Sequence, residues 1–274
     1  MKKISLKKSL LLLLLVGASI IVALPFVWMV FSSFKRIDEF YLIPPKLFPK
    51  EFTLDNFKEL FDRGNFSVYY LNSIVVTVLQ VVFNMIIVTM AGYGFAKFNF
   101  RGKKLLFMCV LATTMIPWVA TIIPLYIMAH KAGMINTFFG LVFPGLVDTF
   151  SIFLARNFME GIPTALIEAA RVDGASEFKI FRSLVLPLTK PLIAVITINK
   201  FIASWNAFQW PLLVVSDDRL RTLPLAIAKF SSQYYDAYNL KMAAAALAII
   251  PVLLIYIAFQ KYFVAGISLS GMKE

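Results

Sequence analysis

The chain has 274 residues, 60% of them apolar, with a mean hydropathy of +0.80. Soluble domains carry roughly 45–50% apolar residues, so this much apolar surface needs the bilayer as solvent and a water-soluble fold is excluded. One cysteine, Cys109, and one histidine, His130, leave no disulfide framework, metal cluster or catalytic constellation, and no metal site is expected.

Six apolar stretches approach the ~20 residues that a spanning helix needs: 10–33, 68–95, 105–129, 138–156, 191–215 and 241–263. Lys2, Lys3, Lys7 and Lys8 precede the first, in the manner of a signal peptide. The apolar run from Leu10 to Phe31 exceeds the ~7–15 residues of a cleaved segment, so a retained helix is expected. The outer segment 34–67 carries Pro44, Pro45 and Pro49 and predicts a short amphipathic helix around Leu54–Phe61.

With the N-terminus inside, fifteen lysines and arginines fall on the inner face, eleven on the outer, and Lys200 lies within a span. The compact clusters at the N-terminus and at 97–104 decide the orientation, because short loops obey the positive-inside rule best. Both termini are therefore expected in the cytoplasm. The formal charge of +12 is topological, and no nucleic-acid partner is expected.

Residues 157–190 form the largest inner segment. Pro163 suits the first turn of a helix, and Ala165 to Val172 make a small-residue helix whose charges are Glu168 and Arg171. Gly174 ends it, Ser176 caps a second helix at 177–184, and Pro187 and Pro191 stop that helix before the next span. An interfacial helix would explain the aromatic face but not the small-residue surface around Glu168, Ala169 and Ala170.

Two ionisable residues lie inside spans at matching depth, Asp148 and Lys200, and are expected to pair or to border a shared polar cavity. Amides and aromatic rings suit the hydroxyls and C–H faces of a polar, uncharged solute. Gln80, Asn84, Trp205, Asn206 and Gln209 are thus the candidate pathway lining, while Trp210 reads better as a helix-packing residue or an interfacial anchor. Ala91, Gly92 and Gly94 suit close helix packing. The outer segment 216–240 offers Gln233, Tyr234, Tyr235 and Asp236 as a contact for an external protein.

The run Glu168-Ala169-Ala170, with Gly174 and then Leu184-Val185-Leu186-Pro187, resembles the EAA loop of bacterial ABC importer permeases. Leu184 stands where isoleucine is usual. Asn72-Ser73, Ala91 to Ala96, Ile123 to Tyr126, Trp205-Asn206 and Gln260 to Gly266 are similar to the carbohydrate-uptake branch, the smaller six-span permease of maltose-type and multiple-sugar importers. The resemblance covers the chain from about Pro25 onward.

It implies an all-α membrane protein of six transmembrane helices with an ABC transmembrane type-1 (MetI-like) core in the bacterial cytoplasmic membrane. The parts are a first helix and outer segment at 1–67, a permease core at 68–263 with its EAA loop at 163–187, and a cytoplasmic tail at 264–274. The implied partners are a second homologous permease, two cytosolic ABC ATPase subunits, an extracytoplasmic solute-binding protein, membrane lipid and a sugar. Glu168, Ala169, Ala170, Asp173, Gly174, Leu186 and Pro187 would dock on an ATPase. The chain has no Walker A pattern, so ATP and Mg²⁺ belong to those partners and no cofactor is expected here. A permease for glycerol phosphate or a polyol is the alternative. A secondary transporter should show inverted repeats and leaves the EAA pattern unexplained.

Overall fold

The computed structural model describes residues 6–62, 65–233 and 237–270. Among them every regular element is a helix. Three helices are long and apolar enough to cross a membrane, and the number rises to six when each of three bent helix pairs is taken as one span. The chain divides into two compact units, Met1–Ser67 with Ala226–Ile250, and Val68–Leu225 with Pro251–Glu274.

In the first unit, α1 (Leu6–Ser32) is the first span. A 3₁₀ turn at Ile37–Tyr41 and the expected short helix, α2 (Asp55–Asp62), follow. Asn56 on α2 organises this unit. Its buried amide donates to the carbonyls of Ser33 and Lys35, both at 2.8 Å, and its Oδ1 accepts from the Asn239 amide at 2.8 Å. The carbonyls freed where α1 ends thereby find donors from a side chain rather than from water.

In the second unit, α3 (Phe66–Lys97) is one unbroken helix of 32 residues. At 1.5 Å per residue it is about 48 Å long and outreaches a hydrocarbon core of about 30 Å. Its overhang is what carries Tyr93 and Lys97 to the inter-span loop described below.

The next span departs from the single helix expected at 105–129. It consists of α4 (Lys103–Thr113) and α5 (Trp118–Lys131), bent by 99°. Pro117 has no N–H to continue the ladder, and its ring disfavours helical geometry at Ile116. The stretch 138–156 is also broken: α6 (Phe138–Val142) and a 3₁₀ turn at Phe143–Gly145 meet α7 (Thr149–Glu160) at 45°. Pro144 and Gly145 lie at the break. Asp148 is therefore the N-cap of α7, not a mid-helix residue as expected.

The inner segment forms α8 (Thr164–Val172) and α9 (Glu177–Ile180), then a π-helical turn at Phe181–Val185 and a last turn, α10 (Leu186–Leu188). Two details differ from expectation. Pro163 is the N-cap residue rather than part of the first turn, and Pro187 lies within the helical run instead of stopping it. The π turn changes the hydrogen-bond register just before Pro187, where a missing N–H would otherwise interrupt the ladder.

The third bent pair joins the end of the inner segment, Glu177–Leu188, to Lys190–Trp205 at 80°, and the stretch read as 191–215 is itself interrupted. α11 (Lys190–Trp205) ends at Asn206, and α12 (Gln209–Val214) starts afresh. The Asn206 side chain donates back to the Ile202 carbonyl at 3.0 Å, while Pro211 cannot donate to the Ala207 carbonyl, so continuity fails between them. The region 216–240 contains an unforeseen helix, α13 (Leu223–Gln233), and α14 (Tyr238–Ser270) is the last.

Candidate functional site

The loop between the fourth and fifth apolar stretches is built on a rigid seat. Ile167, Ile180, Phe181 and Val185 are buried together with Val88, Tyr93, Ala155, Met159, Leu192 and Ile196. At Gly174, φ is +76°, a left-handed geometry that a glycine adopts without Cβ strain. The Gly174 N–H donates to the Arg171 carbonyl and the Ala175 N–H to the Ala170 carbonyl, each at 3.0 Å. This is the Schellman closure of a helix C-terminus. Ser176 caps α9 as expected, its hydroxyl accepting from the Lys179 N–H at 3.3 Å.

Polar contacts fix the loop to α3. Arg171 donates to Glu177 Oε1 at 2.5 Å, and the Tyr93 hydroxyl donates to Glu177 Oε2 at 3.1 Å. The Arg171 hydrogen bond holds the Glu177 carboxyl below the ordinary carboxylate range. Lys97 donates to the carbonyls of Glu160 and Ile162.

Opposite that seat, the loop presents an uncovered face. Glu168, Ala169, Asp173, Gly174 and Pro187 are exposed, and Ala170 and Leu186 partly so. Leu166 is 46%, Phe178 65% and Val172 89% exposed. Val172, the last residue of α8, and its neighbours Leu166 and Phe178 are thus apolar side chains left uncovered on a loop whose other side is buried.

A second feature lies within the spans. A cavity of about 400 Å³ is bordered by Gln80, Asn206, Gln209, Trp118, Trp210 and Thr222 among others. Three of the five residues expected to line a pathway are thus brought together. The other two are elsewhere: Asn84 is fully buried, and Trp205, 3% exposed, stacks on Phe201 with centroids 5.8 Å apart and meets Tyr70 edge-on.

The amides of α3 have a task that sequence reasoning missed. Gln80 donates to the Leu141 carbonyl at 3.1 Å, and Asn84 to the Leu146 carbonyl at 3.4 Å. Both carbonyls lie where the fourth span breaks, and in lipid such freed groups must be satisfied from within the protein. Gly145 has no Cβ because the Gln80 amide occupies that space. Trp210 likewise donates to the Gly140 carbonyl at 2.8 Å from a buried position, so of its two expected roles, packing and interfacial anchoring, it has the packing one.

Asp148 and Lys200 border one cavity of about 530 Å³ together with Asn199 and Ser151, without forming a direct ion pair. Asp148 instead caps α7, accepting from the Phe150 N–H at 3.2 Å and from the Ser151 hydroxyl. Of the two arrangements expected, the structure has the shared cavity. Gly92 meets the packing expectation, since a Cβ there would lie 2.5 Å from the Ala155 Cβ, whereas Gly94 has open space.

Asn72 and Ser73 also acquire a role. Asn72 donates to the carbonyls of Arg219 and Arg221 at 2.8 and 2.9 Å, and the Ser73 hydroxyl accepts from the Leu223 N–H at 2.7 Å. They hold the loop that leads into α13. In that loop the Arg219 guanidinium holds the Asp217 carboxyl below its usual range. Trp118 was not foreseen as a lining residue; the Pro117-Trp118 pair, an aromatic placed directly after a helix break, was the available signal. Tyr234, Tyr235 and Asp236 lie outside the described residues, and of Gln233 only the backbone is described, as the end of α13.

The family model described as binding-protein-dependent transport system inner membrane component matches residues 88–269. The arabinooligosaccharides transport system permease protein AraQ of Halalkalibacterium halodurans is 34% identical over 82% of this chain and 81% of its own. The melibiose/raffinose/stachyose import permease protein MelC of Bacillus subtilis is 32% identical over 83% of each chain. A chain of a bacterial ABC transporter that imports the acidic polysaccharide alginate has the same fold, with a TM-score of 0.85 over 96% of this chain and 100% of that one, at 23% identity.

Proposed function

Because this chain belongs to the family of binding-protein-dependent transport system inner membrane components, we propose that it is one of two permeases in an ATP-driven importer of a sugar or oligosaccharide. It is a multi-pass membrane protein, with the three bent pairs completing six spans and both termini in the cytoplasm. A second homologous permease faces it, two ABC ATPase subunits bind beneath, and an extracytoplasmic binding protein delivers the cargo. ATP and Mg²⁺ belong to the ATPase subunits.

The uncovered face of α8, with Glu168, Ala169 and the 89% exposed Val172, carries this reading. Small side chains let an ATPase cleft approach the backbone closely, and the buried seat under Ile167 and Ile180 makes α8 move with α3, α7 and α11 as one packed body. Closure of the ATPases on ATP would then pull on the spans. Asp173 and Gly174 set the angle of the docking helix, and Leu186 and Pro187 set where the fifth span leaves the loop.

The cargo assignment rests on the family branch and on the chemistry of the 400 Å³ cavity. Amides and indoles border it, and among the described residues no lysine or arginine does. That suits a neutral, hydroxyl-bearing solute better than glycerol phosphate, whose phosphate would call for a cation. Gln233 to Asp236 are the proposed contact with the binding protein.

Uptake of a panel of labelled mono- and oligosaccharides by a strain lacking the chain tests the proposal. Loss of uptake of one sugar class, restored by wild type but not by Glu168→Lys, is the expected result. Unchanged uptake across the panel, with loss of a phosphorylated or ionic solute instead, would overturn the cargo assignment.

A further inference from the structure

A groove of about 850 Å³ runs along the start of α4 and is unrelated to the docking loop face or the central cavity. Lys103, Lys104 and Arg156 line it together with the apolar Phe100, Leu105 and Met108. Leu105 is 63% and Met108 48% exposed, on a span whose outer surface meets lipid.

The basic groups of this groove are in excess. The Arg156 guanidinium lies over the Phe107 ring at 4.4 Å and contacts the Glu160 carboxylate at 2.6 Å. Lys103 donates to the Phe98 carbonyl at 2.9 Å, which uses one of its three N–H donors. Lys104 is exposed. Three cations thus stand against one carboxylate. Lys103 and Lys104 also occupy the first turn of α4, where there is no acidic residue and the cap, Gly102, has no side chain to offer. Positive charge at a helix N-terminus is unfavourable, so within the chain this arrangement is electrostatically uncompensated.

We infer that this groove binds an anionic phospholipid, its phosphodiester between Lys103, Lys104 and Arg156 and an acyl chain along Leu105 and Met108. The ligand is both anionic and apolar because basic and apolar side chains line the same groove. A basic pocket between spans at headgroup level is the arrangement that recognises such lipids. The Arg156 guanidinium already packs over the Phe107 ring, so it loses less freedom on binding than an unsupported side chain would.

Native mass spectrometry of the full chain, in the complex in which it purifies, tests this during titration with phosphatidylglycerol. Phosphatidylcholine of the same chain length and inorganic phosphate serve as comparisons. Each basic residue near an anionic headgroup contributes about fivefold in affinity, from about 1 kcal/mol. Lys104→Gln is expected to weaken phosphatidylglycerol binding about fivefold and Lys104→Gln with Arg156→Gln about thirtyfold, with phosphatidylcholine unaffected. Lys104 is exposed, so its variant carries the test even if loss of Arg156 from the Phe107 face impairs folding. Equal affinity for phosphatidylcholine, displacement by inorganic phosphate, or an equal loss in the remote pair Lys179→Gln and Arg182→Gln would each overturn the assignment.

Discussion

The indole N–H of Trp118 donates to Oε1 of Gln209 at 3.1 Å across 91 residues of sequence. Trp118 opens α5 just after the third span breaks, and Gln209 opens α12 just after the fifth breaks. The bond ties together the two discontinuities that border the central cavity. Trp118→Phe removes the donor and keeps the ring. Each single variant, Trp118→Phe or Gln209→Leu, is expected to cost about 0.5–1.5 kcal/mol. Because both remove the same bond, the double variant should cost little more than either alone, as measured by thermal unfolding in detergent.

Asn56 makes three buried hydrogen bonds at once, to Ser33, Lys35 and Asn239. Asn56→Leu keeps the volume but strands two carbonyls and an amide. The expected destabilisation is about 2–4 kcal/mol, read as a lower unfolding temperature. A loss no larger than that of an exposed control such as Lys58→Leu would contradict the role assigned to this hub.

Gly92 and Gly94 are two residues apart and should respond oppositely. Gly92→Val forces a side chain into the Ala155 backbone and should cost about 1–3 kcal/mol or block assembly. Gly94→Ala meets nothing within 4 Å and, in a helix, should be neutral or stabilising by up to about 1 kcal/mol. Expression level and unfolding temperature of the two variants check this.

Asp148 and Lys200 share a cavity, and the Asp148 carboxylate is taken up by the Phe150 N–H and the Ser151 hydroxyl. Asp148→Ala should cost about 1 kcal/mol through loss of the α7 cap. Combined with Lys200→Met, the effects should add within about 0.5 kcal/mol in the resting protein. A coupling above about 1 kcal/mol in the same unfolding measurement would indicate a direct pair.

The positions of the spans were legible because each apolar run is long and its flanks are charged. The breaks were not, because hydropathy averages across Pro117, Pro144 and Pro211 and a proline in lipid can be accommodated by neighbours. The same blindness explains the amides: Gln80 and Asn84 read as polar lining, and only the broken fourth span shows that their partners are the Leu141 and Leu146 carbonyls. The helix ends of the inner segment were read more fully, since Gly174 and Ser176 act locally and their signals need no tertiary context. α13 escaped notice as an apolar run too short to span, although Pro224 in its first turn was a usable start signal.

Co-purification from membranes tests the central claim, that α8 is the seat of the ATPase. The tagged wild-type chain should retain a second permease and an ATPase. Glu168→Lys, which reverses the charge of the docking helix, and Gly174→Arg, which puts a side chain at φ +76°, should each lose the ATPase and keep the second permease. Retention of the ATPase by both variants, or purification of the wild-type chain alone, would contradict the account.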